Sequence, residues 1–210
     1  MSAGQVLLAV ATIAAGYFIG GIPFGVVVAR VLGGPDPRTL GSGRTGGANV
    51  LRALGPVPAL VSGLLDTAKG AVTVLIAMSL GVGPTIEVLA ALASIIGHSR
   101  SPYIGFNGGR GVAPAWGALL VFQPVIALGV VPMFLAVVAI TRISSLASLT
   151  TSLVAAVALL AAVVLLAMPT AYAGYAVGAA AIVWLFHADN IRRLITGEER
   201  RIEWPRSRGG

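Results

Sequence analysis

The first 29 residues contain no charged side chain, and the polar stretch that opens at Arg30 lasts only to about Gly55 before the chain turns apolar again. A helix of that length crosses a hydrocarbon layer of about 30 Å, at about 1.5 Å of rise per residue, with some tilt. Further apolar runs cover residues 56–81, 85–97, 112–140, 143–168 and 170–187. Only 10% of the side chains are charged and mean hydropathy is +0.94, whereas a soluble domain carries roughly 25% charged residues. An ordinary water-soluble globule is excluded. The pattern predicts one all-α integral membrane bundle over residues 1–210, with 188–210 a short basic tail too small to form its own core. The N-terminal run lacks the basic start and short apolar core of a signal peptide, so it reads as a retained span.

The placement of cations sets the expected topology. Arg38, Arg44 and Arg52 follow the first run, Arg100 and Arg110 lie in 98–111, Arg142 follows the 29-residue run 112–140, and six arginines fill Arg192 to Arg208. The connections near 82–86, 123–124 and 168–170 carry none. Cationic loops stay cytoplasmic. Breaking the run 112–140 at Gln123-Pro124 puts every such loop on one side, which predicts about seven transmembrane helices, an external N-terminus and a cytoplasmic C-terminus. The two halves would be short, roughly 16 to 24 Å at about 1.5 Å per residue; five crossings is the alternative. The net charge of +7 would suggest nucleic acid in a soluble protein, but here it reads as topology and attraction to anionic membrane lipids, with no nucleic-acid partner. Cysteine is absent and only His98 and His187 supply imidazole, so no metal site and no cofactor are expected.

Two cytoplasmic loops are rich in glycine. The first, PDPRTLGSGRTGGANVLRALG, holds five glycines from Gly41 to Gly55. Gly41, Gly43 and Gly46 formally match the dinucleotide fingerprint, but a membrane span precedes them where that motif needs a strand. Glycine amides can form an anion nest, Ser42 adds a hydroxyl, Asn49 is placed to cap a helix starting near Val50, and Arg52 offers a forked cation to phosphate. A flexible loop with topology-setting arginines is the competing reading. The second loop, HSRSPYIGFNGGRGVA, places Gly108, Gly109, Arg110 and Gly111 just before an apolar helix, so its amides and the helix N-terminus can face one anion; a tight turn with a surface arginine is the bland alternative. In HADNIRRLITGEER, His187 and Asn190 share one helical face. Glu198 and Glu199 are expected to pair with arginines, Asp66 and Lys69 to pair inside the second apolar region, and Pro23 to kink the first.

Taken in order, GGIPFG, GSGRTGGANVLRALG, DTAKG, GH, FNGGRGVA and HADNIRRLITGEE resemble the motifs of the bacterial acyl-phosphate:glycerol-3-phosphate acyltransferase family, over essentially the whole chain. The resemblance implies a seven-span enzyme of the bacterial cell membrane, with its motif loops facing the cytoplasm and a role in phospholipid biosynthesis. Its substrates would be an acyl phosphate and glycerol-3-phosphate, with thioester donors excluded. It assigns substrate phosphate to Ser42 and Arg52, with Gly41, Gly43 and Asn49 in the same motif. The acyl-phosphate site falls to Gly108, Gly109, Arg110 and Gly111, a polar catalytic pair to His187 and Asn190, and a structural role to Glu199; Asp66 and Lys69, by their spacing in an apolar run, form a structural pair or reach the cytoplasmic cavity. Departures from the family pattern fall at Arg44, Thr45, Gly47, Ala48, Asn107, Arg110 and Pro114; arginine at 110 keeps charge but not the shape of the usual lysine.

Such a reaction suits a chain without cysteine. An acyl phosphate is an activated anhydride, so the glycerol hydroxyl can attack directly, provided the protein neutralises two phosphates and aligns the attacking oxygen. His187 or a substrate phosphate would take the proton. Competing readings are a membrane transporter of an anionic solute, which would want paired half-repeats with polar groups at mid-membrane, and a non-catalytic lipid-binding paralogue.

Overall fold

A computed structural model describes residues 2–202, and the described residues are helical with no strand. The helices are α1 (Ala3–Gly21), α2 (Phe24–Val31), α3 (Gly47–Leu54), α4 (Pro56–Ser79), α5 (Pro84–Ser99), α6 (Val112–Phe122), α7 (Pro124–Thr141), α8 (Ser144–Leu165), α9 (Ala171–Phe186) and α10 (Ala188–Ile195). Proline opens α4, α5 and α7 at the first helical position, where its missing N–H leaves no bond unmade. Pro23 does more than kink the first run: α1 stops at Gly21, and α2 restarts at Phe24 to pack against α3 and α4.

The run 112–140 breaks at Gln123, as its Gln-Pro pair predicts. Trp116 Nε1 donates to the Ala127 carbonyl at 2.7 Å. In a straight helix those residues would be about 16 Å apart, so α7 folds back beside α6. Among the described residues α1, α4, α7 and α8 are long and apolar enough to cross a membrane, and a fifth span forms if α9 and α10 are counted together across their 64° bend. The expected seven would also need α5, of 16 residues, and α6, of 11.

Small residues let the helices approach closely. A Cβ on Gly20 would strike the Ser94 backbone and one on Gly97 the Tyr17 backbone, which locks α1 against α5; Gly70 against Pro114 and Gly117 against Thr67 do the same for α4 and α6. Between α4, α5, α6, α8 and α9 lies a core that includes Val74, Ile95, Leu119, Phe122, Leu159 and Tyr175. The Phe122 ring meets Tyr172 and Tyr175 at centroid distances of 4.6 and 4.9 Å. The outside is apolar too. Val125, Leu135 and Ile140 on α7 and Val157 and Val164 on α8 are exposed, a surface that water does not tolerate over this extent and lipid does.

Candidate active site

A cavity of about 640 Å³ runs from the bundle interior to the loops. One end is walled by Leu64, Leu119, Phe134, Leu159 and Val183, and the other by Ser42, Arg44, Arg52, Arg110, His187 and Asn190. The three motif segments therefore converge on one polar mouth above an apolar channel.

The first loop is built around Asn49. Helix α3 begins at Gly47 with Gly46 as its N-cap, so Asn49 lies inside the helix and does not cap it; the preceding glycines let the helix start earlier than Val50. Its buried amide instead gathers the loop. Nδ2 donates to the Leu40 carbonyl at 3.0 Å, the Ser42 hydroxyl at 3.1 Å and the Arg44 carbonyl at 2.9 Å. Oδ1 accepts from Arg52 Nη1 at 2.9 Å and from the Ser42 amide at 3.4 Å. With both ends occupied, Asn49 positions Ser42 and Arg52 beside each other. Gly41, at φ +56°, lies so near that a Cβ would strike Asn49 Oδ1.

The second loop works differently from the expected nest. The Gly108 amide donates to the Ser99 carbonyl at 3.1 Å and the Gly109 amide to the His98 carbonyl at 3.0 Å, so neither N–H is free for an anion; Gly43 likewise gives its amide to Leu40. What these glycines supply is nearness. A Cβ on Gly109 would strike the His98 ring, and Gly111, at φ +82°, lies against Ile95. Free donors remain at the helix starts, where the N–H groups of Gly47 and Ala48 of α3 and of Val112 and Ala113 of α6 line the cavity without an acceptor among the described residues, and the Gly46 and Arg110 amides beside them are also unspent. Such first-turn N–H groups favour a phosphate.

The third segment bends at His187, where α10 leaves α9. His187 Nδ1 lies 2.7 Å from the Val183 carbonyl. A carbonyl only accepts, so the neutral ring carries its proton on Nδ1 and leaves Nε2 as an acceptor. Asn190 Nδ2 donates to Glu199 Oε1, and Glu199 also accepts from Ser145 Oγ at 2.9 Å and Arg193 Nε at 2.8 Å. Glu199 thus clasps the tail to α10 and to the start of α8. Asp189 bridges Arg110 at 3.1 Å and Arg193 at 3.2 Å. Partial burial works to raise its carboxyl pKa, but the guanidinium of Arg110 and then that of Arg193 outweigh it and hold the group below the usual carboxylate range.

Asp66 and Lys69 do pair, at 2.8 Å. Sequence reading missed their third partner. Helix α5 continues through Ser99, so His98 is a buried helical residue and not part of a loop. The Lys69 ammonium reaches Asp66 Oδ1, the Ile22 carbonyl at 2.8 Å and His98 Nδ1 at 2.8 Å. The Ile22 and His98 contacts are hydrogen bonds and the Asp66 contact is ionic, and the cluster ties the break between α1 and α2 to the helix that carries the second loop. The Gly97-His98 pair ending an apolar run was the available signal.

Several polar atoms at the mouth are buried without a partner: Arg44 Nη1, Arg110 Nε and Asn190 Oδ1. Two cationic donors and one acceptor suit an anion beside a hydroxyl, and the apolar channel suits an alkyl chain.

Comparison with known proteins agrees. A family model described as glycerol-3-phosphate acyltransferase matches residues 10–197. The glycerol-3-phosphate acyltransferase of Synechococcus sp. (strain JA-3-3Ab) is 43% identical over 194 residues, covering 91% of this chain and 93% of that protein. The Thermus thermophilus protein of the same name is 40% identical, covering 92% and 95%. Two crystal structures of PlsY, an integral membrane glycerol 3-phosphate acyltransferase, superpose closely. The glycerol 3-phosphate form has a TM-score of 0.85 at 35% identity, covering 93% of this chain and 96% of that one; the lysophosphatidic acid form has 0.83 at 36%, covering 92% and 94%. With matches spanning nearly its whole length, this integral membrane protein belongs to the glycerol-3-phosphate acyltransferase family.

Proposed function

We propose that this protein transfers a fatty acyl group from an acyl phosphate to the primary hydroxyl of glycerol-3-phosphate, forming 1-acyl-glycerol-3-phosphate and orthophosphate. The observation that carries this reading is the cavity that joins an alkyl-sized apolar channel to a mouth of unpartnered guanidinium donors. The acyl chain lies in the channel and its carbonyl comes to the mouth. The glycerol oxygen attacks the carbonyl carbon, an ester C–O bond forms, and the anhydride C–O bond breaks with its electron pair leaving on phosphate. Ser42 and Arg52, held together by Asn49, take the acceptor phosphate. Arg110 and the first-turn amides of α6 neutralise the donor phosphate. Asn190 Oδ1 orients a substrate hydroxyl, and His187 Nε2 or the departing phosphate accepts the proton.

The same reading makes the chain one acyltransferase domain of about seven crossings in the bacterial cell membrane, with its mouth and C-terminus cytoplasmic and its N-terminus outside. Supporting this, Arg44, Arg52, Arg110, Arg142 and the arginines of α10 all lie on connections or short helices at the mouth end or beside the tail that lines it. A reporter fused after Arg142 should read cytoplasm; an external signal rejects the orientation. Activity is tested on the purified protein in lipid with a long-chain acyl phosphate and glycerol-3-phosphate. Lysophosphatidate and orthophosphate should appear one for one, and Arg52→Ala should depress both. Absence of product rejects the reaction; undiminished product from the variant rejects the placement of the acceptor phosphate.

A further inference from the structure

The cavity holds a second imidazole that the scheme above leaves without a task. His98 lines it from the end of α5, and its ring is fixed from two sides. On one side Nδ1 lies 2.8 Å from Lys69 Nζ. On the other the ring lies against Gly109, so close that a Cβ there would strike Nε2; the missing side chain is what leaves room for that nitrogen at the cavity wall. Lys69 is itself held, because it donates to the Ile22 carbonyl at 2.8 Å and is paired with Asp66 at 2.8 Å.

These partners decide which ring nitrogen carries the proton. Paired with a buried carboxylate, Lys69 is an ammonium, and an ammonium has N–H groups to give and no lone pair to receive one. Nδ1 of His98 therefore accepts. Asp66 Oδ1, 3.5 Å from Nδ1, makes no hydrogen bond that would place a proton on that nitrogen instead. The ring proton sits on Nε2, which has no acceptor among the described residues. His187 is the opposite case: its Nδ1 gives its proton to the Val183 carbonyl at 2.7 Å and leaves Nε2 bare. One cavity thus presents two imidazoles in opposite tautomers, one Nε2 able to receive a proton and the other able to donate a hydrogen bond.

The place of His98 on the wall says what its N–H meets. Gly109 and Arg110 belong to the polar mouth, whereas Val112, Trp116 and Leu119, on the helix that follows directly, line the apolar channel. His98, against Gly109, stands where one gives way to the other. In a molecule with a phosphate head and an alkyl tail, the group at that boundary is the acyl carbonyl, whose oxygen gains negative charge as the hydroxyl attacks. We propose that His98 is a catalytic residue that donates its Nε2–H to the carbonyl oxygen of the acyl group. This rests on the transferase reading above. As the glycerol oxygen bonds to the carbonyl carbon, the C=O electron pair moves onto that oxygen and the hydrogen bond from Nε2 strengthens. When the anhydride C–O bond breaks, the pair returns to re-form C=O. His98 keeps its proton throughout, and Lys69 holds the ring in the donating tautomer.

Steady-state kinetics of the full-length protein in lipid, with each substrate varied separately, tests this. His98→Ala should lower kcat about a hundredfold, the loss typical of one oxyanion donor, while KM for either substrate stays within about threefold. His98→Gln, whose amide can bring an N–H to the same place, should recover about tenfold of that loss. Undiminished kcat, a loss confined to KM, or no recovery with glutamine overturns the proposal. Should His98→Ala fail to fold, nitrogen NMR of the unaltered protein with labelled histidine decides. The chain has only two histidines, and their spectra should show one ring protonated on Nε2 and the other on Nδ1. Adding a non-transferable long-chain acyl phosphonate should move the Nε2–H resonance downfield and lower the infrared stretch of the phosphonate's labelled carbonyl. Two rings protonated on Nδ1, or a carbonyl stretch unchanged on binding, overturns it. An unaltered protein that makes no lysophosphatidate would refute the transferase reading itself, a failure separate from the tautomer of His98, which is read without turnover.

Discussion

The two glycine-rich loops look alike in sequence and are held in opposite ways. The first is organised by its own residues: one amide, Asn49, joins Leu40, Ser42, Arg44 and Arg52, all within nine positions of it. The second has no such hub. It is laid on the end of α5 through Gly108 and Gly109, and its arginine is anchored by Asp189, 79 positions away. A loop folded by local bonds can keep its shape while neighbours move, whereas one folded by distant partners has a shape only when the bundle is assembled.

The largest expected effect is on the local hub. Asn49→Ala removes five hydrogen bonds, each worth roughly 0.5–1.5 kcal/mol net, and should lower kcat/KM for glycerol-3-phosphate at least about a hundredfold, or about 2.7 kcal/mol. Activity near that of the unaltered protein would show that the first loop does not depend on Asn49. Next comes the contact between the second loop and α5. Gly109→Ala drives a methyl into the His98 ring and should lower kcat/KM about tenfold. In a His98→Ala background the same substitution should be close to neutral, because the obstruction is gone; equal losses in both backgrounds would break the link. The smallest effect belongs to Asp189→Asn. Its side chain is 41% exposed, so the bridge is screened, and a rise of about threefold in KM for acyl phosphate is expected, shrinking in high salt. A salt-independent loss would mean that Asp189 acts on the substrate directly.

Much of this arrangement is legible in the residues. The apolar runs mark α4, α8 and α9 to within a few positions, and Gln123-Pro124 marks the fold-back between α6 and α7. Arginines and glycines mark the loops that line the cavity. Other features are hidden because they depend on which groups become neighbours. Glycine amides promise an anion nest until the Ser99 and His98 carbonyls take two of them. Asn49 resembles a cap until Gly46 starts the helix earlier. His98 looks like a loop residue because the apolar run ends before it, yet α5 carries it inward to Lys69.

Hydropathy by itself determined that this chain is a helical membrane bundle, because each residue's transfer from water to lipid depends on its own side chain. The ordered motifs determined the family. The tertiary structure decided which donors remain free. Hydrogen-bond capacity is finite, and whether an amide or guanidinium is spent inside the protein or left for a substrate depends on the acceptors that folding brings within about 3 Å of it.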